Sequence, residues 1–539
     1  MLPDQRQDSQ SVYGVLQQLL QPPPELQSRL KQVLPCSGTL QEWNAPRSAK
    51  AVRFLPLLTG LRSLGQVIFI NNPLSGALVL LAFLLESPWM ALMAVAGTAG
   101  ANITSRGLAF ARDLRHQGIY GFNGALVGCA LAALGSVDTQ PLLWLGVVVL
   151  GGGLTTLMLE GWRWRFHDRG DPPALTLPFL LVTWMLLAVM SGLSIGTAEV
   201  TSMGADIGLH PLQVLSLGVV RSFGQVFLCS GLGSGGLVLL ATALASPWAA
   251  GLGVLGAAIG IGSAALLGAS SSSLAMGLWG YNSVLVAIAV GGIFHPPGRR
   301  SLAVAMAGAA LTVPLMGLQG MVLPSLPRLT LAFVLTTWSV LWMVRNTLPA
   351  LIPVSVHALV SPEEHYERLQ VARRELRDFR RRIQARLQGD PRDIGEQLPD
   401  QQRLEVEAVF RRLDRDGDGH FSLEELRLGL GQQDQASGTE DLAAVLVAMD
   451  RDGDGRVDLA EFTAIVVRLQ RLRQGEQRLL HYLKPVDGNS DDAVDGVELD
   501  RLLRSVGEAR LNGQEKELLF GPGRDGLRWH ELVNRLLIT

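Results

Sequence analysis

The stretch Arg62-Ser63-Leu64-Gly65-Gln66-Val67 returns, 159 residues on, as Arg221-Ser222-Phe223-Gly224-Gln225-Val226. The same offset carries Ser75-Gly76 onto Ser234-Gly235 and Ser87-Pro88-Trp89 onto Ser246-Pro247-Trp248, so that about 16 of the 28 positions from 62 to 89 are identical. Further on it lays Tyr120-Gly121-Phe122-Asn123 over Trp279-Gly280-Tyr281-Asn282. Identity at this level between apolar stretches marks a duplicated unit. Two membrane repeats that each cross an odd number of times are inverted relative to one another, with a pathway at their interface.

The surroundings of the repeat say which solvent it faces. The chain of 539 residues is 48% hydrophobic and only 17% charged, and from Ala174 to Gly298 its only charged side chains are Glu199, Asp206 and Arg221. No soluble domain presents so long an uncharged stretch to water. Apolar runs of spanning or half-spanning length recur from residue 50 to 348, dense in Gly, which suits close helix approach in lipid. The expectation is an all-α chain: a polytopic bundle over 50–348, with repeats about 50–205 and 206–348, and about ten spanning helices plus two re-entrant half-helices. A polar region over 1–49 precedes it, with apolar clusters too short for a signal peptide. Cys36, Cys129 and Cys229 make an odd count, two of them in apolar runs, and read as small core residues rather than a disulfide framework.

After residue 350 the chain becomes a different physical object. Basic and acidic side chains number about 18 and 12 up to residue 350 but about 28 and 36 beyond it. A charged linker over 349–399 contains a helical stretch, 361–388, with an apolar seam at Leu369, Ala372, Leu376, Phe379 and Ile383, fit either for self-association or for contact with the domain that follows. That domain, 400–539, opens with Asp414, Asp416, Asp418, Gly419, His420, Ser422 and Glu425 at positions 1, 3, 5, 6, 7, 9 and 12 of a Ca²⁺ loop. Ca²⁺ takes six to eight hard oxygens around a sharp turn, and the last residue closes the shell with a bidentate carboxylate. Asp450, Asp452, Asp454, Arg456, Asp458 and Glu461 repeat the pattern. In both loops position 7 contributes its backbone carbonyl, so His420 and Arg456 count as ligands by place rather than by side chain. A third loop keeps Asp487, Asn489, Asp491, Asp495 and Glu498 but has Asp492 where Gly belongs, and is a weaker site. A fourth, around Arg524-Asp525-Gly526 to Glu531, lacks the ligands and would complete a second pair. The module resembles a soluble, calmodulin-like EF-hand domain.

The membrane half carries a resemblance of its own. Gly65 to Gly76, the paired Gly-Phe-Asn and Gly-Tyr-Asn, and a signature Leu-Pro-x-x-Thr-x-(Pro or Ala)-Phe met twice resemble the urea transporter family. The signature is complete in Leu326-Pro327-Arg328-Leu329-Thr330-Leu331-Ala332-Phe333, whereas in Pro172-Pro173-Ala174-Leu175-Thr176-Leu177-Pro178-Phe179 Pro172 replaces Leu. The resemblance implies a homotrimer in the lipid bilayer whose protomers each hold a pore for urea. It would place Thr176 and Thr330 face to face at the narrow middle, Gln66 and Gln225 near the ends, and Phe69 as an aromatic wall. Leu228 stands where the second half would repeat Phe69, and Ser230-Gly231-Leu232 replace Asn71-Asn72-Pro73.

The near absence of intramembrane acids and bases argues against ion coupling. Glu86, opposite Ala245 in the repeat, reads as a helix-end charge. No nucleophile, acid and base set has the context of an active site, so the sequence does not read as an enzyme, nor as a nucleic-acid binder. Arg47, Lys50 and Arg53 before the first span, with Arg345 and the Arg-rich helix after the last, put both ends of this multi-pass chain on the cytoplasmic side of the cell membrane. Channel-like urea diffusion with Ca²⁺ regulation is the leading expectation. A pore for another small neutral solute, such as a short amide, ammonia or water, and a Ca²⁺-binding membrane scaffold are the alternatives.

Overall fold

A computed structural model describes residues 36–40, 54–135, 140–166, 172–193, 208–347, 360–387, 400–429, 454–464, 466, 493–505, 508–521, 523–528 and 531. The described residues divide into two units, one within Gln27–Gln370 and the other within Val371–Thr539. Asp450, Asp452, Asp487, Asn489 and Asp491, as well as Arg47, Lys50 and Arg53, lie outside the described residues.

In the larger unit the helices are α1 (Leu55–Gln66), α2 (Pro73–Glu86), α3 (Pro88–Gly107), α4 (Arg112–His116), α5 (Phe122–Leu134), α6 (Pro141–Arg165) and α7 (Leu177–Gly192). They are followed by α8 (Pro211–Gln225), α9 (Leu232–Ala245), α10 (Pro247–Leu266), α11 (Ser271–Ala275), α12 (Tyr281–Ile288), α13 (Arg299–Val322) and α14 (Leu331–Thr347). The second seven repeat the first in order. A π-helical turn, Ala289–Ile293, extends α12 to the length of α5.

The recurring boundaries have recurring causes. Ser87-Pro88 and Ser246-Pro247 each put proline where a helix has no use for an N–H, and each serine accepts from the first turn: Ser87 Oγ from Trp89 N at 3.2 Å, Ser246 Oγ from Ala249 N at 2.9 Å. The C-terminal ends match as well. Left-handed residues close helices at Phe69 (φ 63°) and Leu228 (φ 60°), and at Ala109 (φ 54°) and Gly268 (φ 82°). Around them the same bonds recur, Ile70 N to Gly65 O at 2.9 Å and Cys229 N to Gly224 O at 3.0 Å, which is a Schellman closure in each half. Close helix approach depends on the small residues. A Cβ at Gly97 of α3 would collide with the Gly124 carbonyl of α5, and one at Gly256 of α10 would come within 2.6 Å of the Ser283 carbonyl of α12.

Equivalent helices α2 and α9 run antiparallel. Ser75, in the first turn of α2, donates to Ala241 O near the end of α9 at 2.7 Å, while Glu86 at the end of α2 accepts from Ser230 and Gly231 at the start of α9. The charge read as a helix-end residue thus also binds the N–H groups of Ser230 and Gly231, just before a neighbouring helix whose N-cap is Gly231.

Among the described residues three helices are long and apolar enough to cross a membrane alone: Pro141–Arg165, Pro247–Leu266 and Arg299–Val322. Shorter apolar helices, Pro73–Glu86, Phe122–Leu134, Leu177–Gly192, Leu232–Ala245, Tyr281–Ile293 and Leu331–Val344, accompany them. The apolar runs read from sequence as spans are interrupted by the left-handed closures and proline starts just described. Such breaks are tolerated at membrane depth where protein surrounds them.

Helix α15 (Pro362–Leu387) is the linker helix expected over 361–388. The seam side chains Ala372, Leu376, Phe379 and Ile383 lie outside the described side chains. In the smaller unit α16 (Asp400–Leu413), β1 (His420–Phe421), α17 (Leu423–Gly429) and β2 (Val457–Asp458) form one lobe. A second contains β3 (Ala493–Asp495), α18 (Gly496–Ser505), α19 (Gly513–Phe520) and β4 (Gly526–Arg528). Each lobe joins two loops by a short antiparallel ladder, Phe421 opposite Val457 and Val494 opposite Leu527. The ligand-poor fourth loop therefore pairs with the third.

Candidate functional site

At the heart of the larger unit the two signature threonines meet. Thr176 Oγ1 lies 2.7 Å from Thr330 Oγ1, and both residues are buried. Each precedes a helix, α7 or α14, and each is held by the asparagine of a twin motif. Asn123 donates to Leu175 O at 3.3 Å and accepts from Phe179 N at 3.3 Å. Asn282 donates to Leu329 O at 3.5 Å and accepts from Phe333 N at 3.2 Å. One amide thus satisfies a carbonyl before the threonine and an N–H after it, groups that burial would otherwise leave costly.

A second pair of braces crosses between the halves. Trp184 of α7 donates its indole N–H to Pro327 O of the second signature at 3.2 Å, and Trp338 of α14 donates to Pro173 O of the first at 2.8 Å. Each signature loop is fixed by a tryptophan from the opposite repeat. Sequence reading missed these two, although they stand at the same spacing as the threonines, 154 residues apart.

Gln66 and Gln225 are placed equivalently at the ends of α1 and α8. Gln66 Nε2 donates to Gln117 O at 3.0 Å, and Gln225 Nε2 to Met276 O at 3.0 Å. Each amide is thereby tethered through its amino group to the turn before α5 or α12. Phe69 packs edge-on against Phe333, at 6.0 Å between centroids, and Phe294, at 6.3 Å. Phe69 thus belongs to a cluster of three rings, and neither Phe294 nor Phe333 was expected beside it. Leu228 takes the same left-handed backbone as Phe69 and is half-buried. Non-glycine residues pay of the order of 1–2 kcal/mol for that conformation, so the chain holds both side chains in place against strain.

In the smaller unit the carboxylate oxygens of Asp414, Asp416 and Asp418 lie within 4.8 Å of one another. Gly419, at φ 86°, makes the sharp turn, and its N–H donates to Asp414 Oδ2 at 3.0 Å. Burial would raise the pKa of Glu425, but N–H groups of Ser422, Arg415 and Asp416 and the Ser422 hydroxyl hold its carboxyl below the ordinary range. Hard, ionised oxygens converging on one turn fit a divalent cation such as Ca²⁺. In the second loop Asp454 Oδ1 accepts from Arg456 N at 2.8 Å, and Asp458 and Glu461 cap one another. Arg456 also reaches Asp418 Oδ2 at 2.8 Å and so ties the two loops together. In the third, Asp495 and Glu498 make the same reciprocal cap.

An apolar bundle of two like halves, with a buried hydroxyl pair between them, has the make-up of a helical membrane protein. A family model described as "Urea transporter" matches residues 57–345, and one described as "EF-hand domain pair" matches 403–467. The chain is 30% identical over 317 residues to urea transporter 1 of Ovis aries, covering 57% of this chain and 81% of that protein. To urea transporter 1 of Mus musculus it is 29% identical over 262 residues, 47% and 67% of the two chains. It belongs to the urea transporter family, a family of transporters rather than enzymes, and carries an EF-hand pair after the transporter domain.

Proposed function

We propose that residues 50–348 form a pore through which urea diffuses down its gradient, channel-like, in a cell membrane. The observation that carries this is the Thr176–Thr330 hydroxyl pair, held alike from both halves. Urea is flat, neutral and rich in N–H donors, and each polar group stripped of water costs roughly 4–8 kcal/mol in an alkane-like medium. The two hydroxyls satisfy each other at rest and exchange that bond for bonds to a passing solute. Gln66 and Gln225 offer amide oxygens to its N–H groups at either end, while Phe69 and Leu228 press on its faces and admit only a thin molecule. Nothing along this line need change its charge.

The antiparallel α2 and α9 support an inverted arrangement of repeats 50–205 and 206–348; ten spans with two re-entrant half-helices, and a homotrimer of such pores, complete the reading. Leu228 is the feature that favours a different small neutral solute; competition by urea analogues separates the two readings. Both termini are cytoplasmic in this reading, so the domain at 400–539 samples cytosolic Ca²⁺. Asp414, Asp416, Asp418, Ser422 and Glu425 with the His420 carbonyl hold one ion, and Asp450, Asp452, Asp454, Asp458 and Glu461 with the Arg456 carbonyl a second. The loop at Asp487, Asn489, Asp491, Asp495 and Glu498 is weaker. Ca²⁺-driven opening of the first lobe acts on the pore through the linker region 349–399.

The test is stopped-flow urea efflux from proteoliposomes, with free Ca²⁺ held low and then high. Flux above empty liposomes is expected, and Thr330→Trp should abolish it without disturbing assembly; undiminished flux in that variant would sink the assignment. Flux that ignores Ca²⁺ would reduce the EF-hands to a structural role.

A further inference from the structure

The two pore ends differ in what lies behind them. Residues 36–40, from the polar N-terminal region, are buried in the larger unit apart from the half-buried Cys36. Arg62, wholly buried, grips this strap: Nη1 donates to Thr39 O and Nη2 to Leu40 O at 2.7 Å. Asn72 Nδ2 donates to Cys36 O and Gly38 O, both at 2.8 Å, and Gly38 N donates to Ala245 O at 2.9 Å. From the other side Glu364, in the first turn of α15, accepts from Thr39 N and Thr39 Oγ1, each at 3.3 Å.

The same guanidinium also binds Asn71, on the way to Gln66. Arg62 Nη1 donates to Asn71 O at 2.6 Å and Asn71 Oδ1 at 2.8 Å. Asn71 Nδ2 then donates to the Gln117 side-chain oxygen, and the Gln117 backbone carbonyl is the acceptor that fixes Gln66. An unbroken line of hydrogen bonds therefore runs from Glu364 through Thr39, Arg62, Asn71 and Gln117 to Gln66. The second half has no such line among the described residues. Ser230 and Gly231 replace the two asparagines, Arg221 donates to Ala275 O at 3.1 Å, and the start of α9 is held by Glu86.

We propose that Arg62 is a positioning residue for the Gln66 end of the pore, and that the strap 36–40, clamped by Glu364, sets its geometry. This rests on the reading of Gln66 as pore-lining. The network acts on one end only, and that end is wired to the first turn of the helix leading toward the EF-hand domain.

The test uses the full-length protein in proteoliposomes and two variants away from the pore. Gly38→Val places a β-branched residue at φ 73°, with its Cβ 2.9 Å from Glu364 Oε1; Glu364→Gln removes the clamp's charge. Cys36 is the reporter, because Cys129 and Cys229 are buried. A membrane-permeant maleimide should modify Cys36 about tenfold faster in either variant, since local opening follows the loss of local contacts. The ratio of methylurea to urea flux should shift by roughly threefold or more, the scale on which small steric changes in a pocket discriminate solutes. A variant that merely lowers the number of folded pores scales both fluxes and leaves the ratio alone. An unchanged ratio with Cys36 released overturns the proposal, and so does unchanged Cys36 reactivity in both variants. No urea flux in the parent protein would instead overturn the pore reading itself.

Discussion

The two halves of the membrane unit solve the same problem at the start of α2 and of α9 by opposite means. In the first half Asn72 caps its own helix, accepting from Leu74 N and Ser75 N, and has its amino group left over for the strap. In the second, Gly231 has no side chain to offer, and Glu86 reaches across from α2 to accept from Ser230 N, Gly231 N, Ser230 Oγ and Ser234 Oγ. Duplication fixed the centre, where asparagine, threonine and tryptophan recur in matched bonds, and left the periphery free to diverge. Symmetry in this chain is strictest where buried polar groups leave least choice.

That contrast can be broken most severely at the centre. Asn123→Ala and Asn282→Ala each strand a buried carbonyl and a buried N–H, at about 1–3 kcal/mol per group, so each should lower stability by about 2–6 kcal/mol and by similar amounts. Thermal unfolding in detergent checks this, and a large inequality between the two would end the claim of matched clamps. Next in size, Glu86→Ala strips the start of α9 of a charged acceptor and should cost about 1.5–3 kcal/mol, leaving the strap of the first half undisturbed as read by Cys36 labelling.

The EF-hand lobes offer a parallel contrast between a ligand-complete pair and a degenerate one. Glu425→Gln should weaken Ca²⁺ binding by at least the roughly 10–100-fold that loss of even an outer partner costs a metal site, seen by calorimetry on the whole chain. Equal binding by the variant would show that the Asp414–Glu425 loop does not carry the affinity. If the proposed pore holds, Leu228→Phe gives the second half the aromatic that Phe69 supplies in the first and should slow methylurea more than urea, by a few-fold, which stopped-flow reads directly. Smallest is the pair Ala109 and Gly268, equivalent positions with left-handed backbone. Ala109→Gly should stabilise and Gly268→Ala destabilise, each by about 1 kcal/mol, because only glycine enters that region freely.

Much of this was legible in the sequence because it is written twice. The repeat at 62–89, the paired threonines and the loop spacing at Asp414 to Glu425 are patterns in residue type, and the structure brings Thr176 and Thr330 into contact. What escaped was written once or in a changed register. Trp184 and Trp338 follow an offset of 154, not 159, because the second half is shorter by one residue before α13, one within α13 and three before α14, so comparison at one offset passes over them. Residues 36–40 have no apolar period, since their backbone carbonyls rather than their side chains make the bonds to Arg62 and Asn72. Nor does hydropathy show where a helix ends, because it sums over the breaks at Phe69 and Leu228 that the backbone makes.

The one-ended strap also bears on what kind of control such a pore admits. A neutral solute moving passively obeys detailed balance, so a latch acting on the Gln66 end alone cannot bias the direction of net movement. It can act as a throttle and never as a valve: dilute influx and efflux would slow by the same factor. Its asymmetry would surface only in the response to molecules that lodge in the pore, which would be felt differently from the two faces of the membrane.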